Sequence, residues 1–132
     1  MNSIESKAFY ACDSLVSIAI PNGVTSIEDA TFAGCSSLTS VTIPNSVNHI
    51  VGYAFATCSS LTAITIPGSV NNIGEGAFTQ CDKLSAVKFE GNAPAIGANV
   101  FYEPASDFSV YYHASASGWT TPTWNGYKTD IW

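Results

Sequence analysis

The most constraining feature of the chain is a repeat of 23 residues that runs through most of it. A cysteine and a leucine recur at this interval in four copies, and a phenylalanine and an isoleucine recur in five. The repeated positions are Cys12, Cys35, Cys58 and Cys81; Leu15, Leu38, Leu61 and Leu84; Phe9, Phe32, Phe55, Phe78 and Phe101; and Ile4, Ile27, Ile50, Ile73 and Ile96. Such a period is typical of a solenoid, in which each coil buries its apolar side against its neighbours.

One short segment of each repeat has the alternation of a half-buried β-strand. In Ser40-Val41-Thr42-Ile43 the polar and apolar residues alternate, so Val41 and Ile43 should point inwards. Equivalent strands one period apart run in the same direction, which predicts a parallel sheet. Proline follows the strand at positions 21, 44 and 67, where a turn is needed and a missing N–H does least harm.

The segment between successive strands has a different spacing. Val47, Ile50, Ala54 and Phe55 suit a short extended piece followed by one or two turns of helix. A long helix is excluded because only about 15 residues separate the strands and glycines interrupt the segment. The predicted fold is therefore a solenoid of 23-residue coils, with a parallel sheet on one face and short helical or extended segments on the other.

The repeat also predicts how the chain is divided. At 132 residues and 46% hydrophobic content, the coils can share one core in a single domain. We expect an incomplete first coil at 1–20, full coils at 21–43, 44–66 and 67–89, a divergent last coil at 90–112 and an aromatic cap at 113–132. Met1 occupies the position of Val24 in the next coil, so the chain begins inside a repeat. Without a polar cap before it, either further repeats precede this coil or another chain covers it.

Charge and hydropathy restrict the partners. Ten acidic residues are present against four lysines, the net charge is −6, and there is no arginine, so nucleic acid and anionic membrane surfaces are not expected as partners. No apolar run of about 18 residues is present, and the first residues lack the pattern of a signal peptide. Membrane insertion is therefore not expected.

The four cysteines occupy one position of successive coils. Their side chains should stack in parallel rather than point at one another, so buried free thiols are a better interpretation than disulfides. A zinc site is less favoured because the ladder has neither CxxC pairs nor nearby histidines.

No constellation of residues predicts catalysis. His49 and His113 are the two histidines, and His49 occupies a surface turn position equivalent to Ser26 and Asn72. Buried cysteines are poor nucleophiles, and no phosphate-binding loop or calcium repeat is present. We expect a protein that is not an enzyme and that uses no cofactor or metal.

The outward side of the sheet is the most informative surface. The first coils present a smooth, uncharged strip, whereas the last two combine charged and aromatic side chains, as binding sites do. The candidate residues for binding a partner are Ser40, Thr42, Thr65, Lys88, Glu90, Tyr111 and His113. The alternative interpretation is the ordinary solvated face of a sheet.

The two ends of the solenoid raise further alternatives. Trp119, Trp124 and Trp132 should supply the core of the aromatic cap, although tryptophan and tyrosine faces also stack on sugars. At the other end, an uncapped first coil would expose apolar side chains on which copies could assemble. The residues of that assembly end are Ile4, Phe9 and Leu15.

The repeat resembles a known family. The pattern CxSLxxIxIPxxVxxIxxxAFxxC, which runs here from Cys35 to Cys58, is similar to the BspA-like, or Treponema-type, leucine-rich repeat of bacterial surface proteins. The tail from Gly91 to Trp119 is similar to the C-terminal module that closes many secreted members. The asparagine ladder of commoner leucine-rich repeats is replaced here by Gly23, Ser46 and Ser69, and Asn92 alone keeps the asparagine.

This resemblance implies a surface or secreted protein that binds other proteins or mediates adhesion, with no catalytic residues. The partner would be a host or matrix protein, or a second copy of the chain. The main alternative is a structural repeat that assembles as a dimer or filament through its first coil. Glycan binding by the tail is a weaker alternative.

Overall fold

The computed structural model describes residues 3–132, so the expectation for Met1 lies outside the described residues. The chain forms a succession of short strands and turns that repeats every 23 residues, as the sequence predicts. One strand of each coil enters the main sheet. These strands are β1 (Ser17–Ala19), β3 (Ser40–Thr42), β5 (Ala63–Ile66), β7 (Ala86–Phe89) and β9 (Ser109–Tyr112). They are parallel, and paired residues are 23 apart, as in Lys88 and Tyr111.

The main sheet is interrupted between β3 and β5. β1 pairs with β3, and β5, β7 and β9 pair in turn, but the two described groups do not join. At the start of the strands, the N–H of Ser85 donates to the carbonyl of Thr62, yet Thr62 makes no equivalent bond to Thr39 within the described chain. At the other end, the Glu90 N–H donates to Ile66, a bond that Pro67 cannot make to the coil before it.

A second sheet of two-residue strands follows the first turn of each coil. Its strands are β2 (Ser26–Ile27), β4 (His49–Ile50), β6 (Asn72–Ile73) and β8 (Ala95–Ile96), all parallel. Each places an isoleucine in or against the core, while His49 and Asn72 are exposed. The short extended piece predicted between successive main strands is therefore confirmed, although His49 lies in a strand rather than in the predicted turn.

The predicted turns of helix are absent from residues 3–132. The segment after each second strand has two left-handed residues per coil, for example Tyr53 at φ 59° and Thr57 at φ 55°. A right-handed helix requires negative φ throughout. In addition, the N–H groups of Phe32 and Phe55 donate to Ala54 and Ala77 of the next coil, at 2.8 Å each, instead of to their own turn. We call these stretches the turn segments.

The core is a set of vertical columns built from equivalent residues. Phe9, Phe32, Phe55, Phe78 and Phe101 form one stack, with neighbouring ring centroids 5.1–5.6 Å apart and interplanar angles of 5–20°. The isoleucines of the second sheet and the leucines before the main strands form further columns. The stacking predicted from the repeat is thus confirmed.

The serines in place of the asparagine ladder satisfy backbone groups between coils. The Ser46 hydroxyl donates to the Val24 carbonyl at 2.8 Å, and the Ser69 hydroxyl donates to Val47 at 2.7 Å. Ser46 also accepts the N–H of Gly23. Because a hydroxyl can donate and accept at once, serine replaces the asparagine side chain at this turn.

The four cysteines are free, as predicted, and the three buried ones have a structural role. The thiols of Cys35, Cys58 and Cys81 donate to the carbonyls of Phe9, Phe32 and Phe55 at 3.1–3.2 Å. Each thiol therefore links its coil to the phenylalanine of the coil before it. Hydrogen bonding with Cys81, together with burial, raises the pKa of the Cys58 thiol above its ordinary value.

We expect the rate of alkylation to differ between the cysteines according to their burial. Cys12 is half-buried, whereas Cys58 is fully buried and protonated. In iodoacetamide at mildly alkaline pH, Cys58 should react at least about 100-fold more slowly than Cys12, which corresponds to a local opening free energy near 3 kcal/mol. Peptide mass spectrometry against time gives both rates in one sample. Equal rates in the folded protein would contradict the buried ladder.

Candidate functional site

The outward face of the main sheet carries the residues predicted to bind a partner. Ser40 and Thr42 on β3 and Thr65 on β5 are exposed, and so is Glu90, which follows β7. Lys88, Tyr111 and His113 are half-buried. The inward neighbours of these residues, such as Val87 and Val110, are fully buried, so the alternation predicted for the strands is correct here.

The strand register brings the charged and aromatic candidates together. Lys88 lies opposite Thr65 on one side and Tyr111 on the other. Glu90 and His113 come directly after the paired residues Phe89 and Tyr112. Ser40 and Thr42 lie across the interruption of the sheet, on β3. The predicted residues therefore form one cluster around Lys88 and a separate polar strip.

The tail adds a strand to this face that the sequence reasoning missed. β11 (Tyr127–Ile131) runs parallel to β9, with Asp130 opposite Tyr111, and β10 (Thr123–Trp124) pairs antiparallel to its outer side. No 23-residue interval links β11 to the repeats, so periodicity could not find it. The only sequence signal was a short alternation around Thr129, whose side chain is buried.

Trp132 completes the cluster. Its ring stacks on the imidazole of His113, with centroids 4.3 Å apart and an interplanar angle of 21°. The ammonium group of Lys88 lies 5.1 Å from the centroid of the same indole ring, within the range of a cation–π contact. Trp132 remains 42% exposed. The prediction that it supplies core to the cap is wrong, because the chain end runs along β9 and places it on the sheet face.

A groove of about 370 Å³ lies beside this cluster, at the interruption of the sheet. Residues of β3 and β5 line most of it, with the hydroxyls of Ser40, Thr42 and Thr65 among apolar side chains, and Lys88 and Glu90 also contribute. Val41, an inward residue, is half-buried here, whereas the equivalent Val87 is fully buried. The interruption therefore opens the sheet face towards the core at this point.

The other two tryptophans do pack as predicted. Trp119 lies 5.3 Å from Tyr112, 4.9 Å from Phe89 and 4.6 Å from Trp124, measured between ring centroids. Its indole N–H donates to the carbonyl of Gly91 at 3.0 Å. Both rings are therefore engaged in closing the C-terminal end.

Tyr127 ends the phenylalanine column. Its ring meets Phe101 edge-on at 5.1 Å, and its hydroxyl accepts the Phe101 N–H at 3.3 Å. In the preceding coils, the equivalent N–H donates to a carbonyl of the next coil, as Phe78 does to Val100. Tyr127 thus takes the place of a further coil.

The proposed assembly end is more closely packed than its sequence position suggested. Ile4 is buried and bridges to Ile27, while Phe9 and Leu15 are half-buried against the core. An apolar groove of about 460 Å³ remains at this end, lined by Ile4, Phe9 and Ile18 among others.

Residues 3–132 hold no group of three or more histidine, cysteine or acidic side chains placed to bind a metal. Within the same residues, no helix has the length and apolar character needed to cross a membrane.

The fold and the repeat define a leucine-rich-repeat solenoid. The model of the BspA type leucine rich repeat region matches residues 2–115 in six copies, and the chain belongs to this family. The tail beyond residue 115 lies outside that match. No curated protein matches the chain in sequence.

Crystal structures of bacterial leucine-rich-repeat proteins are similar to this chain. A T. pallidum leucine-rich repeat protein is 32% identical, with a TM-score of 0.75, over 83% of this chain and 51% of that protein. A Bacteroides ovatus leucine-rich repeat protein is 30% identical, with a TM-score of 0.71, over 93% and 32%. The pneumococcal vaccine antigen PcpA shares the fold at 17% identity, with a TM-score of 0.67, over 86% and 34%. The chain thus spans about half or less of these proteins.

Proposed function

We propose that the protein is a non-enzymatic interaction module of a bacterial surface or secreted protein, and that it binds another protein through the outward face of its main sheet. Leucine-rich repeats of this family generally serve protein–protein interaction. The observation that supports the location is the cluster of Trp132, His113 and Lys88 beside the groove.

The composition of this cluster is that of a binding hot spot. A partly exposed tryptophan offers a large apolar area, and its contacts with His113 and Lys88 hold it in place before a partner arrives. Tyr111 adds a second aromatic ring on the neighbouring strand. Thr65, which lies opposite Lys88, and Thr42 across the interruption are exposed and offer hydroxyls that can exchange water for a partner's hydrogen bonds.

We expect the double variant Lys88→Glu with Tyr111→Ser to fold and to lose binding by about 30-fold or more, because hot-spot residues contribute about 2 kcal/mol or more. The measurement is capture of partner protein from host or matrix extracts, quantified by mass spectrometry, followed by titration of the captured protein. Trp132→Ala should weaken the same interaction.

The matched control is Lys83→Glu with Tyr102→Ser. Both residues are exposed, and the variant makes the same change of charge and loses the same ring away from the sheet face. Equal capture by both double variants and the wild type would refute the proposed site.

A second candidate function is self-assembly through the first coil, favoured by the apolar groove at that end. Light scattering over a wide concentration range tests it. Assembly is supported if the molar mass grows with concentration and this growth stops when Ile4, Phe9 and Leu15 are made polar. A molar mass that stays that of the monomer at all concentrations would rule assembly out. Tyr127 and the tail already close the opposite end, which disfavours a head-to-tail filament. Glycan binding through Trp119 is not proposed, because its ring is stacked within the cap.

A further inference from the structure

The turn segments lie on a different side of the coil from the main sheet. At one of their positions, two neighbouring coils carry a matched pair of residues, Tyr53 and Gly76. The five equivalent positions are Lys7, Ala30, Tyr53, Gly76 and Asn99, all with left-handed φ. Tyr53 places its ring directly against Gly76, where an added Cβ would lie 2.5 Å from Cε1 of the ring. The glycine therefore lets the tyrosine ring lie over the next coil, and 44% of Tyr53 remains exposed.

Two carboxylates lie on the coils either side of the one that carries Tyr53. Asp29 and Glu75 occupy the same position of coils two periods apart, which corresponds to about 10 Å at the spacing of adjacent strands. Gly52 occupies that position in the coil between them, so no side chain fills the space. Tyr53 follows Gly52 directly, and its N–H donates to the Glu75 carbonyl at 3.0 Å.

The electrostatics of Tyr53 agree with this arrangement. The negative charge of Glu75, followed by smaller contributions that include the charge of Asp29, raises the pKa of the Tyr53 phenol. Glu75 acts most strongly and Asp29 least, which agrees with a ring that lies over the coil of Glu75. An exposed aromatic face with negative charge at its rim attracts organic cations.

In the coil before that of Asp29, a lysine occupies the position equivalent to Tyr53. Lys7 occupies the slot of Tyr53 in the first coil, and its N–H donates to the Asp29 carbonyl at 3.0 Å. Lys7 lies on the side of Asp29 away from Tyr53. On the Tyr53 side, the equivalent positions hold Ala30 and Gly76, neither of which supplies a positive charge.

We propose that Tyr53, Glu75 and Asp29 form a second recognition site, which takes an arginine or lysine side chain of a protein partner. The cation lies on the exposed face of the Tyr53 ring, the carboxylate of Glu75 pairs with it, and the charge of Asp29, two coils before Glu75, adds a weaker attraction. The net charge of −6 favours the approach of a basic partner. This site does not depend on the sheet face, so the result for Lys88 and Tyr111 does not bear on it.

The test is an NMR titration with a glycine-flanked arginine peptide, compared with the same peptide carrying citrulline, its neutral isostere. We expect the arginine peptide to shift the Tyr53 ring resonances and the citrulline peptide to leave them nearly unchanged. Tyr53→Asn, which uses a residue that tolerates this backbone at Asn99, should weaken arginine binding about three- to fivefold. Glu75→Gln should weaken it to a similar extent.

The control is Glu103→Gln, which removes one exposed negative charge outside both proposed sites and so alters the net charge equally. Glutamine is tolerated at this left-handed position, because Gln80 occupies it in the coil before. An equal loss of affinity in Glu103→Gln and Glu75→Gln would show general charge attraction and overturn the proposal. Equal shifts with the citrulline peptide would overturn it as well. Should Tyr53→Asn fail to fold, the comparison of Glu75→Gln with Glu103→Gln decides alone.

Discussion

Phe55→Ala is expected to lower the free energy of unfolding by about 3–5 kcal/mol, the usual cost of deleting a fully buried phenylalanine ring. Phe55 is fully buried and stacks on Phe32 and Phe78 at 5.2 and 5.1 Å, so the cavity would separate two neighbours at once. Its N–H also bonds to Ala77 of the next coil, which limits how far the coils can close over the space. The measurement is urea unfolding followed by circular dichroism.

Two controls define the source of this effect. Phe55→Leu keeps most of the apolar volume and should cost clearly less. Tyr102→Ala removes an aromatic ring that is 49% exposed and should change stability by less than about 0.5 kcal/mol. A loss below about 1 kcal/mol for Phe55→Ala would show that the phenylalanine column does not hold the coils together.

Trp119→Ala is the second substitution with a large expected effect. It should lower the free energy of unfolding by about 2–4 kcal/mol, which is less than for a fully buried ring because Trp119 is half-buried. The variant removes the contacts with Phe89, Tyr112 and Trp124 and the hydrogen bond to Gly91. In a solenoid each coil contacts only its neighbours, so the loss should be greatest at the C-terminal end. Hydrogen exchange should show faster exchange in β9 and β11 before any change in β3.

Trp132→Ala is the matched control for this prediction. Trp132 is 42% exposed and lies on the sheet face, so its removal should affect stability by less than about 1 kcal/mol. Substitution of Trp119 should therefore lower stability, whereas substitution of Trp132 should weaken partner binding. Equal destabilisation by both variants would contradict the separate placement of the two rings.

The parts of the fold that follow the 23-residue period could be predicted from the sequence. Phe32, Phe55 and Phe78 occupy identical positions, and stacking identical coils necessarily places them in one column. The same reasoning places Lys88 beside Tyr111 and predicts free rather than bridged cysteines. The period could thus place Lys88, Tyr111 and His113 in the candidate site, but not Trp132.

The turn segments show where local spacing misleads. The positions of Ile50, Ala54 and Phe55 suit a helix, yet residues such as Tyr53 and Thr57 are left-handed and the amide of Phe55 bonds to the next coil. A helix would have used those amides within its own turn. Stacking of coils offers them partners in the neighbouring coil, and this tertiary pairing outweighs local preference.

Periodicity alone therefore established the solenoid, its columns of buried residues and the outward direction of Ser40, Thr42 and Lys88, because a repeated coil must repeat its contacts. Three features depended on the folded chain: the interruption between β3 and β5, the pairing of β11 with β9, and the position of Trp132 over His113 and Lys88. The tail lacks the period, so no rule of spacing specifies its course. Long-range contacts decide its position instead, because the tail forms no further coil and its strand β11 pairs with the open edge of β9.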